Sequence, residues 1–284
     1  MLKLHPRIFA QKGCKSKILC TFAAKMKIVP KKSLGQHFLN DRHIAEKIVS
    51  SLKADGIRRV IEVGPGTGAL TPLLLKEERF DCSFVEIDTE AAEYLKIKFP
   101  EIKDKLIVAD FLRLPLENFA ENEQLAIIGN FPYNISTQIF FRILDYRSIV
   151  KEAVGMLQKE VAERIAAPPG TKTYGITSVL LQAFYDIEYL FTVHEHVFTP
   201  PPKVKSGVIR LTRNKVEILP CNEALFFRIV KTAFNQRRKM LGNSLKSLLN
   251  NKNSPLLTKR PEQLSVNEFI ELTNFIENGE IKYG

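Results

Sequence analysis

The stretch Val60-Ile61-Glu62-Val63, followed at once by Gly64-Pro65-Gly66-Thr67-Gly68, restricts the fold more than any other part of this chain. The first four residues read as a short buried strand. Three glycines in the next five positions let the backbone turn sharply and approach a bound group closely. A helix is expected from about 69 to 77. Strand, glycine loop and helix start together make a nucleotide-type site in an open α/β sheet. Alone, the loop fits several ligands, and the acids downstream discriminate among them.

Cys82-Ser83-Phe84-Val85-Glu86-Ile87-Asp88 reads as a second strand ending in an acid about 20 residues beyond the glycines. An acid there can accept both hydroxyls of an adenosine ribose. Leu106-Ile107-Val108-Ala109-Asp110-Phe111 is a third strand, whose Asp110 and Phe111 suit an adenine amine and a stacking face. Dinucleotide enzymes carry the first acid but not usually this third-strand pair, and the Gly-Lys-Ser/Thr of a phosphate loop is absent. The three features in register fit S-adenosylmethionine better than NAD or ATP. Gly64, Gly66, Glu86, Ile87, Asp110 and Phe111 are the cofactor-binding candidates.

Leu125-Ala126-Ile127-Ile128 is an uncharged run, expected as a fourth buried strand, and it delivers Gly129-Asn130-Phe131-Pro132-Tyr133-Asn134-Ile135-Ser136. Proline fixes its own φ and restricts the residue before it, so the Phe131 carbonyl points in one defined direction. Such a tip presents a side-chain amide, a backbone carbonyl, a rigid proline and a flat ring. It can take two hydrogens from a planar exocyclic amine while the ring holds the plane. Asn130, Phe131, Pro132 and Tyr133 are therefore the catalytic candidates, with Phe198 for the second face of the base.

Further elements follow in alternation: helix about 135–145, strand about 153–157, helix about 176–185, and strands at 188–194 and 207–212. Seven strands alternating with helices predict a doubly wound α/β sheet. Upstream, Leu34-Gly35-Gln36-His37-Phe38-Leu39-Asn40 reads as an ordered arm before a helix at about 41–53, capped by Asn40 or Asp41. From about 214 only helices are expected, at about 222–235, 238–250 and 266–277. The organisation is a basic extension over 1–25, a cofactor-binding domain over 26–213 and a small helical domain over 214–284.

Charge says what kind of partner to expect. The net charge is +11, and residues 203–260 hold 14 Lys and Arg against two Glu. A segregated basic segment suggests a polyanion, most often nucleic acid. Lys203, Lys205, Arg237, Arg238 and Lys239 are the RNA-contact candidates. With no Trp and 19 Phe, stacking must use Phe or Tyr. No apolar run approaches the ~18 residues of a membrane helix. Cys14, Cys20, Cys82 and Cys221 show no metal-ligand spacing, which argues for a reducing, cytoplasmic setting and against structural zinc. Residues 1–25 lack acids, as organellar presequences do. Met26 opens like a natural start, however, and a disordered or spurious extension is the preferred reading.

Taken together, the arm over Leu34–Asn40, Glu62–Gly68, Glu86–Asp88, Asp110, Gly129–Ser136, Gln158–Arg164, Val197–Ser206 and Phe234–Asn243 resemble the ribosomal RNA adenine-N6 dimethyltransferase family, in its small-subunit branch. The resemblance implies that His37, Leu39, Gly64, Glu86, Asp110 and Asn130 line the S-adenosylmethionine site. Members commonly have Asn or His at position 37 and Leu or Ile where this chain has Phe131. The 170–175 segment and the tail after 214 favour this branch over the one that modifies large-subunit RNA. The implied substrate is a pair of adjacent adenines in the 3′-terminal hairpin loop of 16S rRNA, met in a 30S precursor by a monomer without a metal.

Two other classes compete. One is an enzyme of the same fold acting on 23S rRNA, on DNA adenine or on glutamine, where an amide or amine nitrogen poses the same chemical problem. The basic tail and the Pro-rich 197–206 segment favour RNA. The other is a non-catalytic RNA-binding assembly or transcription factor, against which the intact Glu86, Asp110, Asn130 and Tyr133 speak.

Overall fold

A computed structural model describes residues 28–249 and 254–278. The basic extension over 1–25, the start at Met26, Cys14 and Cys20 lie outside the described residues. The strands are β1 (Phe38–Leu39), β2 (Arg59–Val63), β3 (Asp81–Glu86), β4 (Leu106–Val108), β5 (Leu125–Asn130), β6 (Val150–Gln158), β7 (Tyr185–Val193), β8 (Phe198–Thr199) and β9 (Ser206–Arg213). Seven of them form one sheet in the order β4-β3-β2-β5-β6-β9-β7, as the sequence predicts in number. The five from β4 to β6 run parallel, and β9 is antiparallel to both β6 and β7. The chain lays down β2, β3 and β4 toward one edge, then returns to place β5 on the far side of β2. Ligands bind at such a reversal, beyond the carboxyl ends of the strands.

Central parallel strands are covered on both faces, so they can be apolar throughout. In β5, Leu125, Ala126, Ile127 and Ile128 are all fully buried. Leu125 and Ile127 join one apolar cluster with the helices Ser136–Asp145, Lys159–Ala166 and Ile176–Gln182. Ala126 and Ile128 join another with the helices Arg42–Ser50 and Thr89–Lys98. The alternation follows from the two-residue period of a strand.

The helices Glu223–Asn235 and Val266–Asn278 extend the first cluster through Phe226, Ile229, Phe269 and Leu272. A single helix expected over about 238–250 is not formed. Residues 236–238 turn, Met240 is extended, and a helix runs only over Leu241–Ser244 before a 3₁₀ turn at Lys246–Leu248. Contacts remote in sequence impose the break. The Leu241 N–H donates to the Lys259 carbonyl, and a Cβ on Gly242 would lie 3.3 Å from the Leu257 oxygen. The helix expected at about 69–77 likewise contracts to Thr71–Leu74. Among the described residues no helix is long and apolar enough to cross a membrane.

Candidate active site

The carboxyl ends of β2, β3 and β5 and the residues after β4 open onto one cleft. Its wall includes Gly64, Gly66, Glu86, Ile87, Asp110, Phe111, Asn130, Phe131, Pro132 and Tyr133 from the sheet, and Leu34 to Leu39 from the arm. Nearly every predicted cofactor and catalytic residue thus meets at one place.

The cofactor half is built from strand ends. Gly66 has φ of +58°, and a Cβ there would press on the Phe38 ring at 3.0 Å, so the loop needs glycine on both counts. Glu86 is buried, with one carboxylate oxygen accepting from Gly66 N–H and the other from Asp88 N–H, each at 2.9 Å. Each oxygen keeps a lone pair for a further donor. Burial pushes the Glu86 carboxyl above its ordinary range, against the pull of those N–H groups. Asp110 accepts from Leu112 N–H, and Phe111 turns its ring into the core. Ile87 is 48% exposed at the cleft, an apolar shelf where a base can lie. Ribose acceptors, a shelf and an adenine-amine acceptor in this order fit S-adenosylmethionine.

Glu62 also lines the cleft, wholly buried, and accepts from the Thr71 hydroxyl at 2.8 Å. Burial, aided by the negative Glu86, pushes its carboxyl from 4.5 up to about 8. Between those values the folded chain holds a proton that the unfolded chain has released, so stability falls as pH rises, by about 1.4 kcal/mol per unit at most. Glu62→Gln keeps an acceptor for Thr71 and removes the titration. Thermal unfolding of this variant is expected to decline less between pH 5.5 and 8 than that of the parent, with the largest gain at pH 8.

The chemical half is the tip of β5, where Asn130, Phe131, Pro132 and Tyr133 line the cleft. Asn130 Nδ2 donates to the His37 carbonyl at 2.9 Å, which turns Oδ1 the other way. Phe131 N–H donates to Met156 O at 2.9 Å, while among the described residues no donor meets the Phe131 carbonyl. Two acceptors are therefore available side by side in sequence. The Tyr133 hydroxyl is tied to Ser206 Oγ at 2.6 Å, and its ring lies 5.1 Å from that of His37.

The arm is ordered because it is held at several points. Lys31 Nζ and Gln36 Nε2 reach the two oxygens of Asp88 at 2.7 and 3.1 Å. Burial pushes the Asp88 carboxyl up, but these two partners outweigh it and leave the group below its ordinary value. Asn134 Nδ2 donates to the Ser33 carbonyl at 3.2 Å, and His37 Nδ1 donates to the Pro200 carbonyl at 2.8 Å. β1 then pairs antiparallel with β8, Leu39 opposite Phe198. The sequence gives no sign of the Lys31, Gln36 and Asp88 triad, because Asp88 lies over 50 residues from its two partners.

Two predicted residues sit elsewhere. Phe198 is 3% exposed and packs in the apolar cluster with Leu39 and Val193 rather than lining the cleft, because its strand pairing turns the ring inward. It does not supply the second stacking face. Arg237 is not a free cation: Nη2 donates to the Thr171 carbonyl at 3.3 Å and Nε lies 3.8 Å from Glu262. Lys203, Lys205, Arg238 and Lys239 are exposed. Among the described residues no cluster of three His, Cys, Asp or Glu is placed to hold a metal ion.

A seven-stranded sheet of this order, with its cleft walled by a glycine loop and strand-end acids, defines the class I methyltransferase fold. The sequence profile described as ribosomal RNA adenine dimethylase matches residues 29–277, and the chain belongs to that family. The ribosomal RNA small subunit methyltransferase A of Cytophaga hutchinsonii is 59% identical over 254 residues, covering 88% of this chain and 98% of that protein. Among solved structures, a dimethyladenosine transferase from Plasmodium falciparum superposes with a TM-score of 0.68 at 25% identity, over 86% of this chain and 98% of that one. The 23S rRNA methyltransferase ErmE shares the fold, with a TM-score of 0.61 at 24% identity, over 84% and 99%.

Proposed function

We propose that the chain is an S-adenosylmethionine-dependent enzyme that dimethylates N6 of two adjacent adenines in the 3′-terminal hairpin loop of 16S rRNA. The observation that carries this reading is the pair of acceptors at the tip of β5, Asn130 Oδ1 and the Phe131 carbonyl, beside a cleft shaped for an adenosine. The identity to small-subunit methyltransferases over most of the chain supports the choice of RNA.

Adenine N6 is a poor nucleophile because its lone pair is delocalised into the ring. Asn130 and Phe131 accept its two hydrogens, which lets the nitrogen pyramidalise and localise that pair. S-adenosylmethionine supplies an electrophilic methyl on a sulfonium that leaves readily. Tyr133 stacks on one face of the extruded base, a contact worth about 1–3 kcal/mol. Alignment is the main contribution of the protein, and such positioning can be worth about 7–11 kcal/mol. The N6 proton leaves to water.

In this reading residues 26–213 hold the cofactor and do the chemistry, and residues after 214 contact RNA. Lys203 and Lys205 lie three and one positions before Ser206, the partner of Tyr133, so their charges flank the entry for the base. The enzyme works in the cytoplasm on a 30S precursor, as a monomer. Lys203→Glu with Lys205→Glu, or Arg238→Glu with Lys239→Glu, is expected to weaken RNA binding and reduce the slope of log K against log salt by roughly one per lost phosphate contact. Filter binding across a salt series checks this, and an unchanged slope relocates the RNA surface.

The deciding experiment offers radiolabelled S-adenosylmethionine and this chain to under-methylated 30S particles, 23S rRNA and free DNA. Label mapping to dimethyladenine in the 16S 3′-terminal loop supports the proposal. Label on the other substrates, or cofactor binding without transfer, rejects it.

A further inference from the structure

We infer that Gly155 is a positioning residue for methyl transfer: with Gly129 it forms a floor free of Cβ atoms beneath the Phe131 ring, and that ring fixes the direction of the Phe131 carbonyl. The inference rests on the role given above to that carbonyl.

Gly129 on β5 and Gly155 on β6 are register partners in the parallel ladder, directly opposite each other. A Cβ added at Gly155 would meet Phe131 ring atoms at 2.3, 2.8 and 3.2 Å, and nothing else is nearer. A Cβ at Gly129 would meet the same ring at 2.8 Å and the Val63 carbonyl at 2.5 Å. The ring therefore rests on bare backbone from two neighbouring strands. From the side, the Phe140 ring closes on it edge-to-face, with centroids 5.6 Å apart. Phe131 is 1% exposed, so the ring has no solvent to swing into.

The backbone of Phe131 is pinned at both ends of its one free peptide. Its N–H is bonded to Met156 O, the neighbour of Gly155, and Pro132 follows it. A displaced ring must move Cα, and with Cα the carbonyl. Glycine inside a strand weakens it and marks a close approach. Here the approaching group is the side chain of a residue whose backbone oxygen faces the substrate. A Leu in place of Phe131 is shorter than a phenyl ring and leaves room for a side chain on the floor.

Gly155 is the position to test, because the three atoms nearest an added Cβ all belong to the ring, whereas at Gly129 the nearest is the Val63 carbonyl oxygen. Four proteins are compared for methyl transfer to under-methylated 30S particles: the parent, G155A, F131L and the double variant. Cofactor affinity is measured calorimetrically in each. G155A is expected to lower kcat about 100-fold, the order of loss that a misplacement near 1 Å brings, with cofactor Kd within about threefold. In the F131L background the same substitution is expected to cost less than about threefold, a coupling that only a shared contact produces. If G155A keeps kcat near the parent, or loses the same factor in both backgrounds, the inference falls. If G155A does not fold, F131L against the double variant still decides: equal kcat supports the floor, and a 100-fold gap overturns it. A parent chain without transfer to any RNA instead removes the reading of the carbonyl itself.

Discussion

Asn130→Ala is expected to lower methyl transfer by about 10²–10³-fold, the scale for removing one preorganised hydrogen-bonding group, while cofactor affinity stays within about tenfold. The side chain is part-buried and its amide is oriented by the His37 carbonyl, so no alternative acceptor replaces it. Asn130→Asp is the informative companion. It keeps two oxygens yet sets one of them against the His37 carbonyl, where Nδ2 now donates. The aspartate variant is therefore expected to be impaired almost as much as the alanine one. Single-turnover transfer with cofactor titration checks both, and near-parental rates in either end the proposed chemistry.

Glu86→Gln carries the second large effect. Both carboxylate oxygens accept backbone N–H groups, from Gly66 and Asp88. A glutamine must turn its NH₂ toward one of these donors, leaving a buried N–H unpaired at a cost of about 1–3 kcal/mol. On the assignment of Glu86 to the ribose proposed above, it also loses an acceptor for that sugar. Cofactor Kd is expected to rise about 100-fold, with little change in far-ultraviolet circular dichroism. The parent has its own pH signature. Burial raises the Glu86 carboxyl, and protonation removes the acceptor, so cofactor binding weakens as pH falls toward that raised value. Calorimetry at two pH values reads both predictions. A variant that binds as tightly as the parent moves the ribose site elsewhere.

The strands β2 to β5 and the order of acids along them were legible because their apolar runs end at Gly64, Glu86, Asp110 and Gly129. β1 and β8, two residues each, leave no periodicity to read. The false helix over 238–250 has good local propensity, and only the Lys259 and Leu257 contacts show where it breaks. Phe198 sits in a motif beside Pro and Lys, and its burial depends on pairing with Leu39 some 160 positions away. Arg237 belonged to a run of three cations, and nothing local marks it as the one that ties the 168–175 loop to Glu262. Gly155 looked like one more strand residue. Its meaning lies in the ring of a residue on the next strand.

The carbonyl that aims the Asn130 amide belongs to the arm that also walls the cleft beside Glu86 and Asp110. One short segment thus bounds the pocket and orients the amide, so a substitution that loosens the arm is expected to disturb both together.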